Sequence, residues 1–265
     1  MSLALPPGRA LVTGAGKRLG KAMALALAEN GWDVAVHYDR SQAEAEAVAD
    51  EIKAMGRSAV ALRADLLDDT ATMALLPRAA EALGGKLTLL VNNASIFEYD
   101  TIKTATLTSW DRAIGSNLKA PFLLTQAFAA QELEPARDEK GEAMATGLIV
   151  NMIDQRVLRP TPAFMTYSLA KHGLWALTRT AAQGLAPAIR VNGIGPGPTI
   201  QGVRQSDAHF AAQRAGVPLQ RGADARDVVA ALRFFIASPS VSGQLICTDG
   251  AQHLAWKTPD IIGEI

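Results

Sequence analysis

Short apolar runs alternate with amphipathic stretches along almost all of this 265-residue chain. Several runs are apolar at consecutive positions, as in strands of a parallel sheet that is covered on both faces. The predicted strands are 9–13, 33–38, 59–63, 87–92, 147–152, 189–193 and 244–248, and the predicted helices are 19–30, 41–55, 68–83, 118–132, 163–186 and 224–237. This alternation predicts a doubly wound α/β fold of the Rossmann type, with a mostly parallel seven-stranded sheet and helices on both faces.

No internal repeat or interdomain linker interrupts the pattern, so we interpret residues 1–265 as a single domain. Two stretches are irregular. The charged stretch 135–146 is predicted to be a surface loop. The stretch 195–210, rich in glycine and proline, follows a strand at the edge where ligands bind, and we expect a flexible loop that could serve as a lid.

Two helix starts carry capping signals. Ser41 precedes a helix with Glu44 three residues later, which is the pattern of a capping box. Thr161 and Pro162 precede the long helix 163–186, and they suggest an N-cap followed by a first-turn proline.

Composition excludes several classes of function. The chain has 26 basic and 26 acidic residues, so it lacks the basic excess of a nucleic-acid or anionic-membrane surface. We find neither an apolar run long enough to span a membrane nor a basic start typical of a signal peptide, and we expect a cytoplasmic protein. The single cysteine, Cys247, excludes an intrachain disulfide and is interpreted as a buried small residue. The four histidines lack metal-ligand spacing, so no metal site is predicted.

The segment 13–20 reads TGAGKRLG and lies between a predicted strand and a predicted helix. Glycines at this place let the backbone approach a pyrophosphate, and the helix N-terminus supplies free N–H groups. The spacing departs from G-x-G-x-x-G because the glycines fall at 14, 16 and 20. A plain tight turn is the alternative interpretation.

The end of the second predicted strand bears on the choice of cofactor. An acidic residue there would accept the ribose hydroxyls of NAD, but Tyr38 occupies the position. Arg18, Arg40 and Ser41 could surround a 2′-phosphate, which favours NADP over NAD although Asp39 is close by. In the alternative interpretation, Arg40 is a solvated charge and Ser41 only a helix cap.

Tyr167 and Lys171 lie four residues apart on the predicted long helix, and therefore on one face. A tyrosine is a poor acid or base at neutral pH unless its phenolate is stabilised, which a nearby ammonium would do. On its own this pair is most often a surface coincidence.

The complete set of motifs resembles the short-chain dehydrogenase/reductase family, from about Arg9 to Gln252. Its marks occur in order: the glycine turn, Asp65, Asn92-Asn93-Ala94, Asn117, Tyr167 with Lys171, and Gly195-Pro196-Gly197. The resemblance implies that Asp65 contacts adenine, that Asn92 and Ala94 line the cofactor and that Asn117 holds a water in a proton relay. Tyr167 is then the general acid and Lys171 its partner.

One departure from the family is informative, because Asp154 stands where members usually carry a serine, thirteen residues before the tyrosine. An ionised carboxylate there would repel the oxyanion that develops in ketone reduction. A carboxyl group suits a substrate with ring nitrogens, where a C=N bond takes hydride and nitrogen needs a proton. Alternatively, Asp154 only fixes the loop beside Tyr167.

The segments TGAGKRLG, HYDRS and NNASIF, together with Asp154, resemble the pteridine reductase and dihydromonapterin reductase branch of that family. The resemblance implies that Arg18 and Ser95 contact cofactor phosphate and pterin, and that Phe97 stacks on the pterin ring. Phe97 could instead pack under the loop 195–210, and Ser95 could be a turn residue.

These interpretations define the candidate site. The candidate catalytic residues are Asn117, Asp154, Tyr167 and Lys171. The candidate cofactor-binding residues are Gly14, Arg18, Leu19, His37, Arg40, Ser41, Asp65, Leu66, Asn92, Ala94, Ser95, Lys171, Pro196 and Gly197. The candidate substrate-binding residues are Arg18, Ser95, Phe97, Asp154 and Tyr167.

The resulting hypothesis is an NADPH-dependent reductase of a dihydropterin or dihydrofolate, with hydride from the nicotinamide and a proton from Tyr167. The alternatives are a ketone or 3-oxoacyl reductase of the same family and a non-catalytic NADP-binding sensor. The family resemblance implies a homotetramer; we expect a small-molecule substrate and neither a nucleic-acid nor a membrane partner.

Overall fold

A central parallel sheet organises the computed structural model, which describes residues 4–201 and 205–256. In chain order the strands are β1 (Arg9–Val12), β2 (Asp33–Tyr38), β3 (Ala59–Arg63), β4 (Leu89–Asn92), β5 (Ala136–Arg137), β6 (Ala143–Met144), β7 (Gly147–Met152), β8 (Ile189–Pro196) and β9 (Leu245–Thr248). Seven of these strands form one sheet in the order β3-β2-β1-β4-β7-β8-β9, and all of its neighbouring pairs are parallel. The predicted doubly wound fold is therefore confirmed.

Helices cover both faces of this sheet. They are α1 (Arg18–Glu29), α2 (Gln42–Ala54), α3 (Asp69–Ala82), α4 (Leu107–Ile114), α5 (Ala120–Ala129), α6 (Met165–Gly184), α7 (Asp207–Ala215) and α8 (Ala225–Ala237). The adjacent β1 residues Leu11 and Val12 belong to different apolar layers, one filled by Phe128 of α5 and the other by Met23 of α1 and Phe235 of α8. Strands buried on both sides explain the continuous apolar runs of the sequence. No helix among the described residues has the length and apolarity that a membrane span requires.

The stretch before α5 was incompletely predicted. A helix over 118–132 was expected, but α4 precedes it and a π-helical segment, Gly115–Lys119, joins α4 to α5. The apolar residues of α4 follow helical spacing, at Leu107, Trp110, Ala113 and Ile114, and this signal was missed although only Ala113 is buried. A second sequence signal is the cap, in which Thr106 and Ser109 bond to each other's backbone N–H groups.

The N-cap position of Ser41 is confirmed, whereas the capping box predicted there and the predicted start of the long helix were wrong. Ser41 is the N-cap of α2, but its side chain makes no cap hydrogen bond, and Glu44 pairs with Lys17 instead. Helix α6 begins at Met165, after Phe164 with a left-handed φ of 58°, and not at Thr161-Pro162. A distant residue, Asp100, supplies the acceptors for the first turn of α6.

The two irregular stretches contain more structure than expected. The charged stretch 135–146 holds the antiparallel hairpin of β5 and β6. In the stretch 195–210, β8 continues to Pro196 and α7 begins at Asp207. Part of the predicted lid, residues 202–204, lies outside the described residues.

Candidate active site

The glycine turn connects β1 to α1 at the carboxyl edge of the sheet. Gly14 has a left-handed φ of 62°, and an added Cβ would lie 3.1 Å from the Cα of Ala94. A Cβ on Gly20 would overlap the carbonyl oxygen of Gly14, so the first turn of α1 packs directly on the loop. Only glycine permits both approaches, which leaves a backbone surface on which a phosphate can rest.

Asn93 and Thr13 hold this turn in place. The Asn93 amide Nδ2 donates to the carbonyl oxygens of Thr13 and Gly14, at 2.7 and 3.2 Å. The Thr13 hydroxyl oxygen accepts from the backbone N–H groups of Asn93 and Ala94, at 2.8 and 2.9 Å. Asn93 stood within the motif that the sequence analysis quoted, but its role in fixing the turn was missed.

His37 braces the other side of the turn. Its Nδ1 accepts from the Gly14 N–H at 3.0 Å, so Nε2 carries the proton that is donated to the Ala64 carbonyl at 3.1 Å. Burial lowers the pKa of His37 to about 4, although its bond to Ala64 opposes the shift. His37 therefore supports the candidate cofactor site as a neutral side chain. The Gly14 N–H is bonded to the imidazole and is not available to a phosphate while that bond lasts.

Ser41 and Arg40 lie beside the glycine turn. An added Cβ on Gly16 would lie 3.2 Å from both Ser41 Oγ and the backbone nitrogen of Ala45. The Ser41 hydroxyl and the start of α2 thus face the turn. The Arg40 side chain is 89% exposed, and its Nε pairs with Asp39 Oδ2 at 3.3 Å. These groups fit a phosphate placed next to the turn.

Arg18 takes a different place from the one expected. It has a left-handed φ of 55°, and its guanidinium donates to the carbonyl oxygens of Ile200 and Gln201, at 2.8 and 2.7 Å. Arg18 therefore ties the glycine turn to the segment after β8. These two bonds occupy two of the five guanidinium N–H donors, and the predicted contacts of Arg18 with phosphate and pterin stay predictions.

The other candidate cofactor residues lie at the ends of strands or on the core. Asp65 accepts from the Leu67 N–H, while Leu66 is buried and Leu19 packs on the core beside β1. The side chain of Asn92 is buried, and its Nδ2 donates to Asn151 Oδ1 at 2.8 Å. Pro196 ends β8, and the Gly197 N–H donates to Thr248.

A dinucleotide fits the surface formed by the glycine turn, the start of α1 and the Ser41 hydroxyl beside Gly16. Helix α1 has no side-chain cap at its N-cap residue, Lys17, so its first N–H groups remain free of side-chain acceptors. These observations favour phosphate binding over a plain tight turn.

Asp154, Tyr167 and Lys171 come together at the end of β7. The Tyr167 hydroxyl donates to Asp154 Oδ2 at 2.9 Å, and Lys171 Nζ donates to the Met152 carbonyl at 2.7 Å. Lys171 Nζ lies 5.6 Å from the centre of the Tyr167 ring. All three side chains are buried, so the hydrogen bond between the Tyr167 hydroxyl and Asp154 Oδ2 is shielded from solvent.

Burial and charge set the protonation of this group. Burial raises the pKa of Tyr167 well above its usual value, and the Asp154 carboxylate raises it further, whereas Arg156 lowers it. Burial lowers the pKa of Lys171 to about 8, and the charge of Asp154 opposes that shift. Tyr167 is therefore a protonated hydroxyl at neutral pH, as a proton donor must be.

Asn117 lies in the π-helical segment with every amide proton engaged. Its Nδ2 donates to the carbonyls of Ile96 and Ala113, at 2.9 and 3.0 Å, and its Oδ1 accepts from Ser95 Oγ at 2.6 Å. Ser95 is thus linked to Asn117 rather than acting only as a turn residue. A π-helical segment often marks a functional site, which agrees with the predicted relay position.

An aromatic group covers the mouth of this site. Phe97 is half-exposed, stacks on Phe164 with ring centres 4.2 Å apart, and meets Tyr167 edge-on at 4.8 Å. Tyr99 meets Phe164 edge-on at 5.2 Å. Phe97 therefore packs against α6 residues and their neighbours. Phe164 was missed by the sequence analysis, since an aromatic three residues before the tyrosine carries no periodic signal.

Arg156 is the second residue that the sequence analysis missed. Its Nη1 donates to Asp154 Oδ2 at 3.0 Å, and its backbone N–H donates to Asp154 Oδ1 at 2.8 Å. An Asp-x-Arg spacing within a turn could have indicated the pair, but one such spacing is common by chance.

Behind the site, β9 brings Cys247, Asp249 and His253 within 4.8 Å of one another. Cys247 is only partly buried, which corrects the expectation of a buried residue. The Asp249 carboxylate already accepts from the N–H groups of Ala251 and His253 and from His253 Nδ1. These bonds define a turn, and the predicted absence of a metal site stays a prediction.

Comparison with known proteins places this arrangement among enzymes. Residues 9–210 match the family model described as short chain dehydrogenase. The chain is 32% identical over 283 residues to pteridine reductase 1 of Leishmania tarentolae, covering 92% of this chain and 96% of that protein. It is 31% identical over 250 residues to the 3-oxoacyl-(acyl-carrier-protein) reductase FabG of Staphylococcus aureus, covering 92% and 98%.

Solved structures also include an oxidoreductase that is similar to this chain over almost its whole length. The chain is similar to FolM alternative dihydrofolate reductase 1 of Brucella suis in complex with NADP, with a TM-score of 0.89 and 41% sequence identity. The similarity covers 97% of this chain and 99% of that one.

Proposed function

Because the chain belongs to the short-chain dehydrogenase/reductase family, we propose that it is an NADPH-dependent reductase of a pterin. Its substrates are dihydropterins or dihydrofolates, and the reaction adds hydride to a C=N bond of the ring. Pteridine reductase 1 and the FolM dihydrofolate reductase, which are similar over most of the chain, support this substrate class.

The cofactor is NADP(H). A structure that is 41% identical to this chain holds NADP. Here, Tyr38 stands where an NAD enzyme would carry an acid, and the Ser41 hydroxyl and Arg40 follow it beside Gly16. When bound, the nicotinamide of this cofactor supplies the hydride.

The position of Asp154 carries the proposal. Its carboxylate accepts from the Tyr167 hydroxyl at 2.9 Å, where most members of the family offer a serine. A carboxylate there opposes the negative charge that grows on a carbonyl oxygen during ketone reduction. It tolerates a ring nitrogen that gains a proton, because no oxyanion forms.

Tyr167 acts as the general acid in this scheme. Its hydroxyl is protonated at neutral pH and donates its proton to the ring nitrogen. The phenolate that remains is stabilised by Lys171, one helical turn away, and is reprotonated through Asp154 or the Asn117 relay. The predicted roles of these residues are part of the proposal.

Phe97 provides the stacking surface for the flat substrate. Its ring is half-exposed beside Tyr167, which places a bound ring next to the proton donor. The 4.2 Å separation of Phe97 and Phe164 leaves no room for a third ring between them. The substrate ring therefore stacks on the part of Phe97 that Phe164 leaves exposed.

The test is oxidation of NADPH by the purified protein with dihydrobiopterin or dihydrofolate, compared with a 3-oxoacyl thioester. We expect turnover with the pterins and little with the thioester. Asp154→Ser should reduce pterin turnover by about 10- to 100-fold and leave NADPH affinity within about threefold, since Asp154 acts on the proton and not on the cofactor.

The second candidate is a 3-oxoacyl or ketone reductase, which the 31% identity to FabG favours. It predicts turnover of the thioester, no turnover of pterins and a gain of activity in Asp154→Ser. Phe97→Leu separates the two candidates further, because only a stacked substrate should lose affinity with the ring. We also retain the single domain, the cytoplasmic location and the homotetramer as predictions, and light scattering tests the last.

A further inference from the structure

The structure points to Arg156 as a positioning residue that fixes the Asp154 carboxylate against the Tyr167 hydroxyl. This inference rests on the proposed function, in which Asp154 replaces the usual serine. It adds Arg156 to that site, because Arg156 forms an ion pair with Asp154 two positions earlier. We treat the two side chains as a single functional pair.

Arg156 binds both oxygens of Asp154. The backbone N–H of Arg156 donates to Oδ1 at 2.8 Å, and Nη1 donates to Oδ2 at 3.0 Å. Asp154 is the N-cap of the short 3₁₀ helix Gln155–Val157, so the turn itself presents Arg156 to the carboxylate. With both oxygens engaged, the carboxylate cannot rotate, and Oδ2 stays directed at the Tyr167 hydroxyl.

The pairing also answers an electrostatic problem. Asp154 is 8% exposed, and a buried charge without a partner is strongly unfavourable. Lys171 does not pair with it, because Nζ donates to the Met152 carbonyl. Among the described residues, Arg156 is the cation in an ion pair with Asp154. The pair lowers the cost of burying the Asp154 carboxylate, whose Oδ2 still faces the Tyr167 hydroxyl.

Arg156 reaches the stacking surface as well. Its Cζ lies 5.5 Å from the centre of the Phe97 ring and 5.3 Å from that of Phe164. One guanidinium thus contacts the proton-handling carboxylate and the aromatic pair at once. Arg156 therefore connects the carboxylate to the aromatic pair on which the substrate is proposed to stack.

The side chain occupies this place at a cost in stability. Arg156 Nε is buried and has no hydrogen-bond partner within the described part of the chain. An unsatisfied buried donor costs about 1–3 kcal/mol. Such a cost is typical of side chains that are retained for function rather than for folding.

The experiment compares Arg156→Met, Arg156→Lys and the control Arg159→Met, which alters an exposed arginine of the same loop. With dihydropterin, Arg156→Met should lose about 10- to 100-fold in kcat/KM, chiefly in kcat, with NADPH affinity within about threefold. Arg156→Lys keeps the charge and should recover part of the loss. Arg159→Met should match the wild type.

A second measurement does not depend on turnover. Alkaline titration of tyrosinate absorbance follows Tyr167, and Tyr38 and Tyr99 are assigned by their Phe variants. The charged groups that face Tyr167 are Asp154 and Arg156 from the turn and Lys171 from α6. Since Arg156 lowers the pKa of Tyr167, Arg156→Met should raise it further. A loosened, hydrated site would instead move it down towards 10.0.

The outcomes separate the two claims. If the wild type reduces no pterin, the proposed function fails, and the titration still decides whether Arg156 positions Asp154. If the wild type reduces pterins while Arg156→Met keeps full kcat, or if the Tyr167 pKa in that variant equals that of the wild type, the inference is overturned. Should Arg156→Met not fold, Arg156→Gln replaces it in both measurements.

Discussion

Lys171 sets the alkaline limit of the proposed reaction. Burial lowers its pKa to about 8, so the ammonium that stabilises the Tyr167 phenolate is present below that pH and is lost above it. We expect kcat/KM to fall as the pH rises through about 8, measured with saturating NADPH. Lys171→Arg keeps its charge, and whatever activity it retains should show no fall in this range.

Asp154 provides an internal check on this limit. Its negative charge raises the pKa of Lys171 against the effect of burial. Asp154→Ser should therefore move the alkaline limb of kcat/KM to lower pH, in addition to slowing turnover. An unchanged limb in both Asp154→Ser and Lys171→Arg would show that another group sets it.

His37 makes stability depend on pH in the acid range. The pKa of His37 is 6.5 in its ordinary state and about 4 in the folded protein, so the unfolded chain binds more protons between these values. Stability from this group is complete above pH 6.5 and is lost as the pH falls towards 4, by about 3 kcal/mol in total.

The measurement is urea unfolding between pH 7 and pH 4. His37→Asn cannot titrate and should show a flatter profile, together with weaker NADPH binding because the brace on Gly14 is altered. His209→Asn, which changes an exposed histidine on α7, is the control. If the free energy of unfolding falls equally steeply with pH in the wild type and in His37→Asn, His37 is not the group responsible.

Single residues differed in how far the sequence revealed them. Tyr167 and Lys171 could be predicted because four residues make one helical turn, a relation that is local in sequence. Arg156, Phe164 and Asn93 could not, since their roles depend on which atom each side chain meets. Asn93 bonds to Thr13, eighty residues away along the chain, and no periodicity encodes such a contact.

At the scale of an element, the start of α6 determines where Tyr167 lies. The buried carboxylate of Asp100 accepts from the Thr166 N–H at 3.1 Å, from the Thr166 hydroxyl at 2.6 Å and from Ser109 Oγ at 3.2 Å. It thus connects the loop before α4 to the first turn of α6. The sequence signal at Thr161-Pro162 was misleading because this cap comes from a distant residue.

We therefore expect Asp100→Ala to reduce both stability and turnover. The loss of three hydrogen bonds at a buried site should lower the free energy of unfolding by about 1–3 kcal/mol, and kcat should fall because the first turn of α6 frays next to Tyr167. Asp68→Ala removes the N-cap of α3, where the side chain accepts from Ala71. It should lower stability by about 1 kcal/mol without changing kcat. Equal kcat in both variants would contradict the role of Asp100.

The elements that sequence analysis located well are those buried on one or both faces. The buried strands β2 and β7 agree with their predicted limits, because an apolar run must end where the chain leaves the core. The partly buried edge strand β3 agrees as well, since its apolar residues pack on both core layers. The β5–β6 hairpin consists of two-residue strands on the surface, so hydrophobic patterning does not reveal it. Helix α4 is largely exposed too, but its apolar residues follow helical spacing, and that signal was missed.

At the scale of the whole molecule, the strand order explains how distant motifs form one site. The chain adds β2 and β3 on one side of β1 and then β4, β7, β8 and β9 on the other, so the order reverses between β1 and β4. A crevice opens at such a reversal, outside the carboxyl ends of the strands. The glycine turn after β1 and the segment Asn93–Phe97 after β4 meet there, and Asp154 follows β7 nearby.

Because the cofactor is proposed to bind at the junction of several strands and helices, the thermal stability of the protein with NADPH or NADH reports which cofactor it prefers. A ligand that binds only the folded state stabilises it by about 2.7 kcal/mol at a concentration one hundred times its Kd. NADPH bound at the glycine turn should stabilise the contacts that join β1, β2 and α2. These contacts are the Gly14–His37 hydrogen bond and the packing of Gly16 on the start of α2. We expect NADPH to raise Tm by several degrees and NADH to raise it much less at equal concentration.

The preference should depend on the edge beside Gly16, where Ser41 Oγ lies next to the turn. Arg40 is exposed there and pairs with Asp39 at 3.3 Å, and we expect it to exchange this surface partner for a bound 2′-phosphate. Arg40→Ala and Ser41→Ala should each reduce the Tm shift with NADPH and leave the small shift with NADH unchanged, because only the 2′-phosphate distinguishes the two cofactors. Arg137→Ala, which alters an exposed arginine on β5, is the matched control and should keep the wild-type preference. Equal shifts with NADH and NADPH in the wild type would contradict the assignment of NADP to this edge.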